Sequence, residues 1–265
     1  MKKKITTVIM FIITICMLNV SVYASADFDK AMKKAKKNLT TGMNKGDAAM
    51  LLKSRGEFER ILQLKEKTWL VNYYIALADY NLATTSMLSE NKTDLQKYTE
   101  SGIAVINKSI DEYPDFADAY VLLEALHFNR WQFEQEKMQE IISATSSADE
   151  SAAKLDKNNP RLLMLNGMAS FYTPEAFGGG VDVAIPKLQK SVDSFKTRKE
   201  ISDLYPDWGN DLAIGYLAMC FIQRNDDGDM DKAKTLIDEA VVINPDSGFV
   251  TEYVMKEYKK GSESK

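Results

Sequence analysis

Apolar residues recur at helical spacing along most of the chain. In two C-terminal segments they follow the i, i+3, i+4, i+7, i+8 order that marks one face of a helix. One segment runs from Leu212 to Cys220 and the other from Ala233 to Val241. Sustained strict alternation of apolar and polar residues, which is typical of a half-buried β-strand, does not occur in the sequence. The pattern therefore predicts an all-α protein.

Four prolines lie at the ends of helical segments, at separations of 46, 46 and 39 residues. Proline lacks a backbone N–H and disfavours helix at the residue before it, so each one is expected to end a helix. Asp115 and Asp207 follow two of these prolines and are predicted to cap the next helix. The repeating unit is therefore a pair of helices, and its boundaries are Pro114, Pro160, Pro206 and Pro245.

The last unit resembles a tetratricopeptide repeat (TPR). Ala233, Ile237, Ala240 and Pro245 reproduce the order of small residue, bulky residue, alanine and proline in the second helix of that family. The resemblance implies a right-handed superhelix of stacked antiparallel helix pairs with a concave binding face. The predicted pairs are Tyr73–Met87 with Leu95–Asp111, Tyr120–Phe133 with Ile141–Leu155, Leu162–Phe171 with Ile185–Ser202, and Asn210–Gln223 with Met230–Ile243.

A narrower resemblance lies in the segment Tyr172–Asp182. Its Pro174-x-x-Phe177-Gly178-Gly179 stretch is similar to one in exported repeat proteins that include the T-components of TRAP-type transporters, although Gly180 adds a third glycine. The resemblance implies a periplasmic helical protein that binds ligands or partners around a solute-binding subunit.

Two interpretations of the same glycine-rich segment follow from its residues. It is either a binding loop lined by backbone or a long turn with Phe177 packed into the core, and the second is favoured. Glycines allow positive φ and a close approach of backbones. Asp182 is expected to cap the helix that follows.

The N-terminus has the composition of a secretory signal peptide. Basic residues at Lys2–Lys4 precede the apolar run Ile5–Val22, and Ala24 and Ala26 fit the small-x-small cleavage rule. Cleavage is predicted after Ala26, and the alternative is an uncleaved membrane anchor, since the run is about long enough to span a bilayer. Cys16 does not follow a small residue, which argues against a lipoprotein.

Removal of 1–26 changes the charge balance. The remaining 239 residues carry 31 basic and 38 acidic side chains, a net charge of −7. This argues against nucleic acid and anionic membranes as partners, since both require a basic surface.

The low counts of 13 Gly and 6 Pro also favour helix over a turn-rich β fold. The predicted organisation is a signal peptide (1–26), an N-terminal helical segment (27–56), a TPR-like domain (57–255) and a flexible polar tail (256–265).

Candidate chemistry is sparse. His127 is the single histidine and lies among leucines, so a structural role is favoured. Cys220 would be the only cysteine after cleavage and is expected to be a buried, inert thiol. The acidic run Asn225–Asp231 has the wrong spacing for a calcium loop and is predicted to be a turn, with Asp229 capping the last helix. Neither a metal site nor a cofactor is predicted.

The sequence thus favours a non-enzymatic, exported binding scaffold, first in the periplasm and second as a secreted protein. Its partner would be a protein, such as a periplasmic solute-binding protein, or a small apolar ligand, and self-association stays open. The alternative is an exported hydrolase that uses carboxylates or His127 on a helical scaffold. The candidate binding residues are Tyr73, Tyr120, Tyr172, Pro174, Phe177, Gly178 and Gly179.

Overall fold

The computed structural model describes residues 27–263, which form antiparallel helix pairs and contain no β-strand. The predicted all-α, TPR-like class is confirmed. The predicted signal peptide lies outside the described residues. The helices are α1 (27–45), α2 (Ala48–Leu62), α3 (Thr68–Leu88), α4 (Lys92–Glu112), α5 (Ala117–Asn129), α6 (Met138–Leu155), α7 (Pro160–Tyr172), α8 (Val181–Thr197), α9 (Asn210–Arg224), α10 (Asp229–Ile243) and α11 (Met255–Glu263).

Helix ends depart from the prediction in two ways. α8 ends at Thr197, earlier than expected, so residues 198–209 form a long connection to α9. Asp115 and Asp207 do not cap helices, because the N-cap residues of α5 and α9 are Phe116 and Gly209, and neither cap uses a side chain. Helix α7, by contrast, does have a side-chain cap, because Asn159 accepts hydrogen bonds from the backbone N–H groups of Arg161 and Leu162.

Two layers of helices result from this pairing. The first helices of the pairs, α3, α5, α7 and α9, contact one another in succession, whereas the second helices pack mainly onto the first ones. The layer of first helices is therefore the inner, more tightly curved side of the stack. Gly167 on α7 permits part of this packing, since a Cβ there would lie 2.5 Å from the Leu188 side chain of α8.

The connection 198–209 joins the two ends of the stack. Its Leu204 and Trp208 enter the N-terminal hydrophobic core. Trp208 donates its indole N–H to the Tyr73 hydroxyl at 3.0 Å, and Tyr74 donates its hydroxyl to the Leu204 carbonyl at 2.8 Å. Tyrosines of α3 thus hold a loop that lies more than a hundred residues away in sequence.

Arg161 anchors the same connection from the other side. Its side chain is only 1% exposed. The guanidinium donates to Asp118 at 3.2 Å, to the Trp208 carbonyl at 2.9 Å, and to Glu200 at 3.3 Å. Arg198 adds a second cation to this group by donating to Asp118 at 3.2 Å. α5, α7 and the connection are therefore joined through one buried ionic cluster.

Helix α1 links the N-terminal core to the last repeats. Lys36 is 6% exposed and donates to the carbonyls of Asp203 and Tyr205 at 2.6 and 2.7 Å. At the other end of the helix, the Asn44 and Asn244 amides exchange two hydrogen bonds of 3.1 Å each. α1 therefore fixes the spacing of the two ends of the stack.

The predicted segment boundaries do not follow the helices. α2 extends across the expected boundary at residue 56, and the tail expected to be flexible from residue 256 is helical up to Glu263. Within residues 27–263, no helix has the length and apolarity needed to cross a membrane.

We expect Arg161→Leu to lower the free energy of unfolding by about 3–5 kcal/mol, because it leaves Asp118 buried without its main partner. Urea unfolding followed by circular dichroism measures the change. Lys234→Met is the matched control, since it removes a cation from an exposed pair with Asp238 and should cost under about 1 kcal/mol. Equal costs for both variants would contradict the structural role of the cluster.

Glu124 on α5 is a buried carboxyl without a hydrogen-bond partner for its Oε2 atom. The side chain lies at the interface of α5 with α6, near Asp149. Burial, followed by the charge of Asp149, raises the pKa of Glu124 to about 8. The folded protein therefore holds this acid in its protonated form at neutral pH.

This pKa predicts a loss of stability as the pH rises. Between about 4.5 and 8 the unfolded chain releases the proton of Glu124 while the native state keeps it, so the free energy of unfolding falls over this window. Glu124→Gln mimics the protonated acid and should be more stable than the parent at pH 9, by up to roughly 4 kcal/mol. Thermal unfolding between pH 4 and 9 tests this, with the exposed Glu150→Gln as control. Parallel pH profiles for parent and Glu124→Gln would refute it.

Candidate functional site

Tyrosines from four separate elements meet at the inner layer of helices. Tyr80 lies on α3, Tyr172 at the end of α7, Tyr216 on α9, and Tyr253 on the π-helix Phe249–Val254 that precedes α11. Burial raises the pKa of Tyr216 well above its usual value, and the nearby phenols of Tyr172, Tyr80 and Tyr253 add to the rise. We call these four residues, together with Phe171 and Phe249, the tyrosine face.

Five of the six rings of the tyrosine face, all except that of Tyr80, contact one another in a continuous series. Tyr216 stacks on Phe249 with a centroid distance of 4.7 Å, and Phe249 stacks on Tyr253 at 5.8 Å. Tyr172 meets Tyr216 edge to face at 6.1 Å, and Phe171 meets Tyr172 at 5.1 Å. Such arrangements match the preferred geometries of aromatic pairs. The series forms a wall of ring faces and edges.

Two features place Phe249 against α9. Gly215 leaves room for it, since a Cβ at this position would lie 2.7 Å from the Phe249 ring. The π-helix directs Phe249 and Tyr253 to the same side, so that their rings stack with an interplanar angle of 21°. π-Helical turns are rare and occur often at functional sites.

The tyrosine face is partly buried at its centre and exposed to solvent at its rim. Tyr172 and Tyr253 are 60% and 51% exposed, whereas Tyr216 and Phe249 are half-buried beneath them. The hydroxyls of Tyr172 and Tyr216 lie 3.2 Å apart and share a hydrogen bond. The surface can therefore offer apolar ring area and a few hydroxyl groups to a ligand.

The tyrosine face includes only one of the predicted tyrosines. Tyr172 belongs to it. Tyr73 was a wrong candidate, because its side chain is fully buried and its hydroxyl accepts the hydrogen bond of Trp208. Tyr120 is half-buried against the small core cluster between α5, α6 and α7. Phe249 and Tyr253 could have been noticed in the sequence. They lie after Pro245 at the i, i+4 spacing that places two side chains on the same side of a helix.

The glycine-rich loop after α7 does not insert Phe177 into the hydrophobic core. Phe177 is 82% exposed, so the favoured prediction that it packs inside was wrong. Gly178 has φ +81°, and Gly179 is buried against Thr173, whose carbonyl oxygen would lie 2.0 Å from an added Cβ. The loop backbone satisfies its own hydrogen bonds instead: Gly180 donates to the Ser170 carbonyl at 2.9 Å. The hydrophobic contact that the prediction required is therefore absent.

Asp182 and Asp229, which were predicted to cap helices, form ion pairs instead. Gly180 is the N-cap of α8, and Asp182 instead lies in its first turn and accepts from Arg224 at 3.2 Å. Asp229 is the first residue of α10 and not its cap, and it accepts from Arg224 at 2.7 Å. Hydrogen bonds from Arg224 and Lys232 hold the pKa of Asp229 below its usual range. One arginine therefore connects the start of α8 with the turn before α10.

Other candidate chemical groups are not part of the tyrosine face. Cys220 is buried as predicted, and burial raises the pKa of its thiol to about 12. His127 borders a cavity of about 310 Å³ with Arg130 and Glu140. Burial, and then the charge of Arg130, lower the pKa of His127. Within residues 27–263, no group of three or more His, Cys, Asp or Glu side chains could hold a metal ion.

Comparison with known proteins links the chain to helical repeat structures. No protein-family model matches it, and no curated protein sequence matches it significantly. Among solved structures, the HusA haemophore from Porphyromonas gingivalis is similar, with 24% identity and a TM-score of 0.62 over 73% of this chain and 92% of that chain.

A thermophilic TPR protein of Thermus thermophilus is also similar, with 15% identity and a TM-score of 0.52 over 86% of this chain and 99% of that chain. Neither of these two structures is described as a T-component of a TRAP-type transporter. At these levels of identity the likeness concerns the fold, and the chain has the TPR-like architecture that its last repeat predicts.

Proposed function

We propose that this chain is a non-enzymatic binding protein whose tyrosine face takes a flat, apolar, aromatic cargo. The observation that carries the proposal is the unbroken series of rings from Phe171 through Tyr172, Tyr216 and Phe249 to Tyr253. Ring faces in one wall, with an exposed rim, fit a planar ligand that stacks and buries apolar area.

Buried and exposed parts of the wall have different tasks in this proposal. Tyr216 and Phe249 are held by neighbouring rings, so the wall is formed before the ligand arrives. Tyr172 and Tyr253 keep much of their surface free for contact. A preformed site loses little conformational entropy on binding, which favours affinity.

A tetrapyrrole is the cargo we consider first. The similar structure from Porphyromonas gingivalis is described as a haemophore, and a macrocycle has the size and flatness to cover several rings. Stacking and burial would supply the affinity here, so a metal-free porphyrin should bind about as well as haem.

Export is part of the same proposal. The signal-peptide composition of 1–26 supports it, with the periplasm as first location and secretion as second. An accessory role beside a TRAP-type transporter rests only on the sequence of Tyr172–Asp182, and co-purification with a solute-binding subunit would support it.

Titration of the purified chain with haem and with protoporphyrin IX tests the proposal through absorbance and fluorescence changes. We expect saturable binding of both compounds. Tyr172→Ala and Tyr253→Ala should each weaken binding by about tenfold, equivalent to about 1.4 kcal/mol. The corresponding phenylalanine variants keep the ring and should stay within about threefold of the parent.

Phe128→Ala is the control, because Phe128 is an exposed aromatic residue on α5 that belongs to no part of the tyrosine face. Unchanged titration curves for Tyr172→Ala and Tyr253→Ala would exclude this surface as the site. Binding of haem without binding of the metal-free porphyrin would show that a metal–ligand bond, and not ring contact, drives recognition.

A further inference from the structure

The loop between α7 and α8 presents one aromatic side chain to solvent from a rigid backbone. Phe177 and Gly179 both donate to the Pro174 carbonyl, at 2.9 and 3.2 Å, and Gly178 donates to the Glu175 carbonyl at 2.9 Å. Gly180 fixes the far end of the loop on α7 by its hydrogen bond to the Ser170 carbonyl at 2.9 Å. A loop closed by four backbone hydrogen bonds has little conformational freedom left to lose on binding.

The Phe177 side chain buries little of its surface against the rest of the described chain. At 82% exposure, it is the most exposed aromatic side chain of residues 27–263. Val183, at the start of α8, is a further apolar residue nearby in the chain and is 38% exposed. A rigid, exposed aromatic side chain is the kind of residue that anchors protein interfaces by filling a pocket of the partner.

Acidic residues surround the loop. Glu175 lies in it and packs over Gly180. Asp182 is 78% exposed, and its ion pair with Arg224 brings it close to Asp226, which contacts the same arginine at 3.5 Å and is 72% exposed. Asp227 follows in the same turn and is also exposed. Three cations lie among these acids: Arg224, Lys232, which donates to Asp229 at 3.1 Å, and Lys187, which donates to the Ser170 hydroxyl at 2.8 Å. Glu175, Asp182, Asp226, Asp227 and Asp229 are five carboxylates against these three cations, so the surroundings of the loop carry net negative charge.

We propose that this loop is a docking anchor for a partner protein that has an apolar pocket with a basic rim. Phe177 enters the pocket, and the carboxylates of Glu175, Asp182 and Asp227 face the basic groups of the rim. Charge complementarity of this kind raises association rates and specificity. The docking anchor uses none of the residues of the tyrosine face, although Tyr172 directly precedes the loop, and the inference does not depend on the ligand proposed above.

A membrane is a poorer match for the same surface. One phenylalanine buries too little apolar area for stable membrane binding. The surrounding carboxylates are repelled by anionic lipid headgroups. The geometry and the charge therefore favour a protein.

A random peptide library displayed on phage provides a probe that needs no known partner. The library is selected on the parent chain and counter-selected on Phe177→Ser. We expect peptides that combine apolar residues with Lys or Arg, and whose affinity falls at least about tenfold on Phe177→Ser. Asp182→Asn with Asp227→Asn should weaken them by about threefold or more. The affinity for the parent chain should also fall between 50 and 500 mM salt, because exposed charge pairs are screened.

Ile201→Ser is the matched control, since Ile201 is 80% exposed on the connection between α8 and α9. It should leave peptide affinity unchanged. The proposal is overturned if no selected peptide depends on Phe177, if the peptides lack basic residues, or if Ile201→Ser is equally harmful. Binding of phosphatidylglycerol vesicles that is lost in Phe177→Ser would replace the protein partner by a membrane.

Porphyrin titration of Phe177→Ser separates this inference from the proposed function. Unchanged porphyrin binding with lost peptide binding supports two distinct surfaces. Loss of both would place Phe177 in the ligand site and overturn the docking role. The salt dependence of the parent chain needs no variant, so the test stands even for a substitution that impairs folding.

Discussion

The buried guanidinium of Arg161 is the interaction on which the remaining structure depends. A charge that is 1% exposed is tolerable only where carboxylates and carbonyls surround it. Asp118, Glu200 and the Trp208 carbonyl provide these partners. Because they come from α5 and from the long connection before α9, satisfying one arginine fixes how the C-terminal repeats sit against the N-terminal ones.

The tyrosine face follows from that constraint. With the connection held, Trp208 hydrogen-bonds to Tyr73 inside the N-terminal core, and α9 lies at a defined position relative to α3. Tyr80 and Tyr216, more than a hundred residues apart, then become neighbours on the inner layer. Helix α1 secures the same curvature through Lys36 and the paired amides of Asn44 and Asn244. The ligand surface therefore depends on polar groups that do not belong to it.

Most of the helices could be predicted from the sequence because their periodicity is local. The stripe from Leu212 to Cys220 and the prolines at pair boundaries describe short-range geometry, and α9 and α10 lie where they indicate. Caps were less predictable, since α8 begins at Val181, which places Asp182 inside the first turn, where it accepts a hydrogen bond from Arg224. The prediction for Phe177 was wrong for a related reason: hydrogen bonds, not burial, stabilise its loop. Tyr73 was wrong as a site residue because its hydroxyl is needed inside the core.

The sequence by itself determined the fold class and the positions near which one helix pair gives way to the next, because helical spacing and proline positions act within a few residues. Only the tertiary structure decided which aromatic residues share a surface. Tyr216, Phe249 and Tyr253 meet because Gly215 lets a ring approach and a π-helix turns two side chains to one side. These effects, like the burial of Arg161, arise from contacts between distant segments, and no local pattern encodes which segments will meet.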